Sequence, residues 1–266
     1  MTSEPAALEV PGVAAAAGAG RRRVLLGGVS AGLALAGLPG CGGGLWFDDL
    51  RLRAVNATLD IASIDLRFND WLSARAIGYG AGTSAYADGD LWSSSASGRF
   101  DVARTGQSGA LLSTTLALPE GPSTSVVVMA SLGAGLKLRL IDEGAARPGG
   151  QAMRLRALHA WPGVGALDVF VTSPGQTLSG RVPDAVLATF ETLSAFANLA
   201  PATRLRIMPR GQPGVVLFDN AASGFVADQV VTLVVAPAPS AVRVAVAVLP
   251  QAAAAYVLIN AASAPV

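Results

Sequence analysis

The chain has 266 residues, 19 basic and 18 acidic side chains, and only 14% charged residues, which leaves it nearly neutral. That balance argues against nucleic-acid binding, which needs a basic stripe to neutralise phosphates. Cys41 is the sole cysteine and His159 the sole histidine, so intramolecular disulfides and multi-cysteine or multi-histidine metal sites are excluded, and no cofactor is called for.

Residues 1–41 read as a bacterial export signal. Arg21-Arg22-Arg23 precedes the apolar run Val24 to Leu38, which is short and carries four glycines, too weak a segment for a stable transmembrane helix. Basic residues stay on the cytoplasmic side while such a run enters the membrane. Arg21-Arg22-Arg23-Val24-Leu25 resembles the twin-arginine export signal, and Leu38-Pro39-Gly40-Cys41 resembles the lipobox of bacterial lipoproteins, with Pro39 a departure. That resemblance implies lipidation of Cys41 and an N-terminal lipid anchor, because several acyl chains hold a protein stably on a bilayer. Gly42 after the cysteine implies, by the same analogy, the outer membrane. A cleaved signal peptide with an incidental cysteine, or an uncleaved anchor, is the alternative.

After Gly44 the segments are short, rich in Val, Leu and Arg, and separated by Gly, Pro, Ser and Asp. This predicts an all-β chain of sandwich type. Leu52-Arg53-Ala54-Val55-Asn56-Ala57 returns 103 residues later as Leu155-Arg156-Ala157-Leu158-His159-Ala160. At the same spacing Ile64-Asp65-Leu66 returns as Leu167-Asp168-Val169. Gly106-Gln107-Ser108-Gly109 returns 105 residues later as Gly211-Gln212-Pro213-Gly214. A period near 100 suits a domain and is too long for a solenoid repeat. The expected organisation is a signal at 1–41, one β-sandwich module at 42–147, a second at 148–250, and a strand-like tail at 251–266.

In chain order, strands are expected near 50–56, 64–69, 75–80, 99–104, 109–115, 124–130 and 136–142. In the second module they fall near 153–159, 167–172, 186–191, 204–209, 214–219, 229–235 and 241–248. Alternation points Leu50, Leu52, Ala54 and Asn56 inward, and Arg51, Arg53 and Val55 outward. Met153, Leu155, Ala157 and His159 likewise face in, with Arg154, Arg156 and Leu158 out. The outward arginines are expected in solvent. The Gly-Gln-x-Gly elements read as hairpin turns, and residues 143–150 as a short linker. Residues 183–199 could instead form a helix, since Val186, Phe190, Leu193 and Ala197 keep a 3–4 spacing. Tyr256 to Ala261 echoes the opening strand, and pairing with an exposed sheet edge would cover it.

With Arg53-Ala54-Val55-Asn56-Ala57, Ile64-Asp65-Leu66, Tyr79-Gly80, Thr83 and Tyr86 on view, the module resembles a bacterial extracytoplasmic family known as domain of unknown function 4397. The resemblance covers about residues 50–250. His159 replaces the family's Asn in the second copy, and Phe190-Glu191 and Phe196 replace Tyr-Gly and Tyr. It implies two tandem immunoglobulin- or transthyretin-like sandwiches, often on a lipoprotein, and no established activity.

Chemistry-bearing patterns are few. Gly28-Val29-Ser30-Ala31-Gly32 fits a nucleophile elbow but lies in the signal segment. Gly80-Ala81-Gly82-Thr83-Ser84-Ala85 fits a loose dinucleotide pattern without the βαβ unit it needs. His159 would have to serve any Ser-His-Asp triad, yet its repeat partner is Asn56, which favours a hydrogen-bonded structural role. Asp65 and Asp168 are expected to accept loop backbone N–H groups. Asp88-Gly89-Asp90 reads as a turn before a calcium site. Trp71, Trp92 and Trp161 are placed in loops, packed beneath them, with exposed binding surfaces as the alternative. The expected function is that of a non-enzymatic, lipid-anchored envelope protein with a structural or interaction role, the latter towards a protein or glycan partner. An envelope-polymer hydrolase and a small-ligand or ion-binding module are the rivals.

Overall fold

In a computed structural model, the residues described are 50–80, 97–121, 123–238, 244–251, 253 and 255–258. The export and lipidation residues Arg21, Arg22 and Cys41, the Gly28–Gly32 pattern, Trp92 and Asp88–Asp90 lie outside them. Gly43–Val266 forms one compact unit.

Among the described residues the chain is all-β. The first seven strands are β1 (Arg51–Asn56), β2 (Ser63–Phe68), β3 (Trp71–Gly78), β4 (Ser97–Arg104), β5 (Ala110–Ala117), β6 (Ser123–Met129) and β7 (Lys137–Asp142). They make two sheets, ordered β1-β6-β7 and β3-β2-β4-β5. The next nine are β8 (Met153–His159), β9 (Leu167–Thr172), β10 (Ala185–Leu187), β11 (Ala197–Leu199), β12 (Arg204–Pro209), β13 (Phe218–Asn220), β14 (Val230–Pro237), β15 (Val244–Pro250) and β16 (Tyr256–Leu258). Their sheets are β11-β8-β14-β15-β16 and β10-β9-β12-β13. The strand order of the first sandwich thus recurs in the second. Its parallel pairing recurs as well, because Arg53 stands opposite Ser125 and the equivalent Arg156 opposite Thr232.

Alternation fixes what each face buries. Leu52, Ala54, Ile64, Leu66, Phe68, Phe100, Val126 and Val128 fill the first sandwich. Met153, Leu155, Leu167, Val169, Leu205, Ile207, Phe218 and Leu233 fill the second. The opposite faces of β1, β6 and β7 carry Val55, Val127, Met129 and Ile141, which pack on Leu158, Val234, Ala236, Ala247 and Leu249 of the second sandwich. Two sheets that would otherwise meet water are joined back to back.

This join corrects the expectation of solvated arginines. Arg51 is exposed, but Arg53 is only 1% exposed and Arg156 9%. Both reach Glu143, at 3.2 Å and 3.6 Å, from the segment that links the sandwiches. Ser125 and Thr232 also donate to the two oxygens of Glu143, at 2.7 Å and 3.3 Å. Arg53 Nε donates to Ser125 Oγ and Arg156 Nε to Thr232 Oγ1. One carboxylate therefore sits between two equivalent arginine–hydroxyl pairs, one from each repeat.

Other differences from the sequence reading are local. Phe68 and Trp71 are joined by a two-residue turn in which Asn69 and Asp70 have φ of 47° and 70°. Such a turn matches strand twist, so β3 starts at Trp71 instead of residue 75. Trp71 is 74% exposed on a strand, not packed under a loop, whereas Trp161 is partly buried against the second core. No helix forms over 183–199; β10 and β11 pair with β9 and β8 there. Residues 214–217 are not strand, and Val215 and Val216 stay exposed.

The tail strand β16 pairs antiparallel with β15, buries Leu258 in the second core, and donates from Tyr256 Oη to Ser223 O at 2.8 Å. Deleting residues 252–266 removes this cover from the β15 edge. The expected loss is about 2–4 kcal/mol, from a buried leucine and the edge hydrogen bonds; thermal unfolding checks it, and an unchanged Tm would reject the capping role.

Candidate functional site

Each sandwich carries an aspartate at the start of its second strand, and each holds a Gly-Gln-x-Gly turn. Gly106 N–H donates to Asp65 Oδ2 at 3.0 Å, and Gly211 N–H donates to Asp168 Oδ2 at 2.9 Å. The two glycines have φ of 75° and 71°, where a side chain would be strained. Gln107 and Gln212 N–H close the turns onto Arg104 O and Pro209 O. The repeated motifs are therefore one device, in which a strand carboxylate clamps a turn further along the chain, between β4 and β5 in the first sandwich and between β12 and β13 in the second. The expectation that Asp65 and Asp168 accept loop N–H groups holds in both sandwiches.

The second oxygens differ. Asp65 Oδ1 accepts from Ala76 N–H at 2.8 Å. Ala76, with φ of 53°, sits where the β2–β3 pairing slips register. Burial would raise the Asp65 pKa, but the N–H groups of Ala76 and Gly106 and the Arg75 charge outweigh it and hold the carboxyl below its ordinary value. A depressed carboxyl adds stability above the ordinary range, and that stability is lost as pH falls through the lowered value.

In the second sandwich a longer segment, 173–184, replaces the tight hairpin. Asp184 accepts from Val171 N–H at 2.7 Å, and Arg181 Nη2 bonds Val171 O and Asp184, both at 3.1 Å. β10 pairs with β9 only at Leu167–Val169, and these two side chains take over the Val171 end of the edge that β3 covers on β2. Asp168 Oδ1 then has no hydrogen-bond partner among the described residues, although Asp168 is only 7% exposed. It lines a cavity of about 240 Å³ with Phe170, Leu178, Arg181, Met208 and Pro213. Phe170, Leu178 and Met208 form a small apolar cluster of their own on this outer face. Arg206 fastens the covering segment by donating to Thr172 Oγ1 and Gln176 O, each at 2.8 Å. Burial, and then the Arg204 charge, pushes the Arg206 pKa down. Sequence reasoning found Asp168 through its repeat but not the cavity, because the cavity depends on how 173–184 folds back.

His159 is fully buried, with Nε2 3.1 Å from Gly165 O, and Nδ1 accepting from Trp161 N–H at 3.3 Å. Asn56 does the same work in the first sandwich. It donates to Ile61 O at 3.0 Å and accepts from Thr58 N–H, also at 3.0 Å. Both ring nitrogens are engaged by backbone, so the imidazole is a structural strut. Burial pushes its pKa below the ordinary 6.5. The unfolded chain then binds the proton more readily, so stability is full above about pH 6.5 and falls below it, by at most about 1.4 kcal/mol per pH unit. His159→Asn, which copies Asn56, should fold and flatten that pH 5–7 slope in urea titrations; an unchanged slope would rule His159 out as its source.

Among the described residues, no three His, Cys, Asp or Glu side chains are placed to hold a metal ion. Residues 51–170, from β1 into β9, match the family model described as Domain of unknown function (DUF4397). No curated protein matches the chain.

Proposed function

We propose that this is a non-catalytic binding protein of the bacterial cell envelope. It is anchored through a lipid on Cys41 after export by the Arg21-Arg22 signal, on the outer membrane. Its two sandwiches are two copies of the one family module, spanning about 42–147 and 148–250. A protein or glycan partner meets the outer face of the second copy. The observation that carries this reading is the asymmetry of the clamp. The same carboxylate is closed by Ala76 in the first sandwich, whereas in the second it keeps a buried oxygen without a hydrogen-bond partner among the described residues, in a residue that lines a cavity. A buried polar atom left without a partner is costly, and a ligand that satisfies it gains accordingly. The His159 nitrogens are both engaged, which speaks against a hydrolase built on that imidazole.

Two measurements test the proposal. Intact mass and fractionation of wild type beside Cys41→Ala should show an acylated, membrane-bound protein released by the substitution. An unmodified soluble product in both would sink the anchor. A photo-crosslinking residue at Val182, 80% exposed beside the cavity, should capture an envelope component in cells, whereas one at Leu132 on the first sandwich should not. Equal capture at both positions, or none, would remove the binding role of this face.

A further inference from the structure

We infer that the outer edge of β5 pairs with the same edge of a second copy of this chain, joining two first sandwiches across a twofold axis. β5 bonds β4 on one side, and on its other side it makes no backbone hydrogen bond among the described residues. A free strand edge is a template for another chain, and proteins blunt such edges with charge, irregularity or shortness. Among the described residues the other outer strands are blunted. β10, β11, β13 and β16 are three residues long. β7 carries Lys137, Arg139 and Asp142, β1 is buried apart from Arg51, and β3 holds Arg75 and two register shifts. β5 runs for eight residues without a charge, a proline or a glycine.

The core beneath this edge is only half covered. β1 packs on β3, so β5 and β7 share the other margin of the sandwich. Leu111, Leu112 and Leu116 of β5 and Leu138 and Leu140 of β7 are partly buried there. The second sandwich extends the matching margin with β16, which covers β15 and buries Leu258; the first has no counterpart among the described residues.

The residues of β5 match a copy of themselves. Leu112-Ser113-Thr114-Thr115-Leu116 reads almost alike in both directions. Antiparallel pairing about Thr114 sets Leu112 opposite Leu116 and Ser113 opposite Thr115. Leu112 and Leu116 share the core face with Val102 and Gly98, and Ser113 and Thr115 the outer face with Asp101 and Arg99. Leucine therefore meets leucine where the two cores join, and hydroxyl meets hydroxyl outside, a favourable cross-strand contact. An uncharged strand set against itself brings no like charges together, and a twofold contact closes on itself as a dimer. The edge is about 27 Å long and, across two sheets about 10 Å apart with their side chains, about 15–20 Å deep, so the contact buries roughly 800–1,100 Å² in total. That is below the roughly 1,200 Å² of a standard interface, and the dimer is weak and reversible.

Sedimentation equilibrium of the full-length Cys41→Ala chain should show the mass rising from monomer to dimer with concentration. Thr115→Lys places a charge at an exposed position of the edge, and should weaken association at least about tenfold while leaving Tm unchanged. Cys41 is the sole cysteine, so Cys41→Ala combined with Thr114→Cys carries one thiol. Opposed strand residues have Cα atoms about 4.5–5.5 Å apart and a disulfide spans about 4.4–6.8 Å, so mild oxidation should link two copies through Thr114→Cys. Ala110→Cys on the same strand should stay unlinked, because in this register its twin lies about 27 Å away. A monomer at every concentration would overturn the inference. A dimer that Thr115→Lys leaves intact, or one linked through Ala110→Cys but not through Thr114→Cys, would overturn it as well.

Discussion

Glu143→Ala should destabilise the protein by about 3–5 kcal/mol, the usual cost of removing one partner from a buried ion pair. Glu143 is 1% exposed and is shared by Arg53 and Arg156 at the join of the sandwiches. Its loss leaves two buried guanidinium charges without their common carboxylate, and leaves the Ser125 and Thr232 hydroxyls without an acceptor they now use. Within the second sandwich Arg156 also lies 4.4 Å from the Phe196 ring, a cation–π contact that the substitution leaves in place. Urea unfolding gives the magnitude, and cleavage by protease within 143–150 should accelerate as the sandwiches separate. Replacing Arg53, Glu143 and Arg156 together with apolar residues of similar volume should recover most of the loss, because the desolvation cost disappears with the charges. A triple variant as unstable as Glu143→Ala would mean that the network does more than hold the join together.

Phe68→Ala should cost a similar amount, about 3–5 kcal/mol, for a different reason. Phe68 is 1% exposed, and its ring lies 5.0 Å from that of Phe100 in a tilted pair. The ring also fills the space above Gly98, where an added Cβ would come within 2.0 Å of it. Gly98→Ala alone therefore overpacks the site, at about 1–3 kcal/mol. The combination should cost less than the sum, since the new methyl enters room that the ring vacates. Contacting sites couple in this way by about 0.5–3 kcal/mol. Additive losses in chemical denaturation would show that Gly98 and Phe68 do not share that space.

Several features were legible in the chain because they are local or periodic. The alternation of Leu50, Leu52 and Ala54 against Arg53 and Val55 fixed which face met the first core. The spacing of Asp65 and Asp168, and of the two Gly-Gln-x-Gly turns, marked a repeated unit before any contact was known. The positive φ of Asn69 and Asp70 was less visible, since neither position holds the glycine that most clearly signals such a turn.

What the tertiary structure decided is the fate of groups that alternation alone sends outward. Arg53 and Arg156 read as solvent-facing because a single sheet has one buried face, and a second buried face exists only once another sandwich covers it. Glu143 looked like part of a linker, and its role as shared counter-ion depends on the two repeats meeting back to back. Asp168 and Asp65 are indistinguishable by their repeat, yet Asp65 has both oxygens bonded by backbone N–H groups while Asp168 keeps one buried oxygen without a partner among the described residues. That difference lies in how residues 69–76 and 173–184 return across the sheet, a long-range matter of loop length and packing that no local pattern encodes. The sequence by itself thus determined the all-β pattern, most of the strands and the repeated elements, while only the folded chain determined that the aspartates clamp the Gly-Gln-x-Gly turns and which buried groups are locked together.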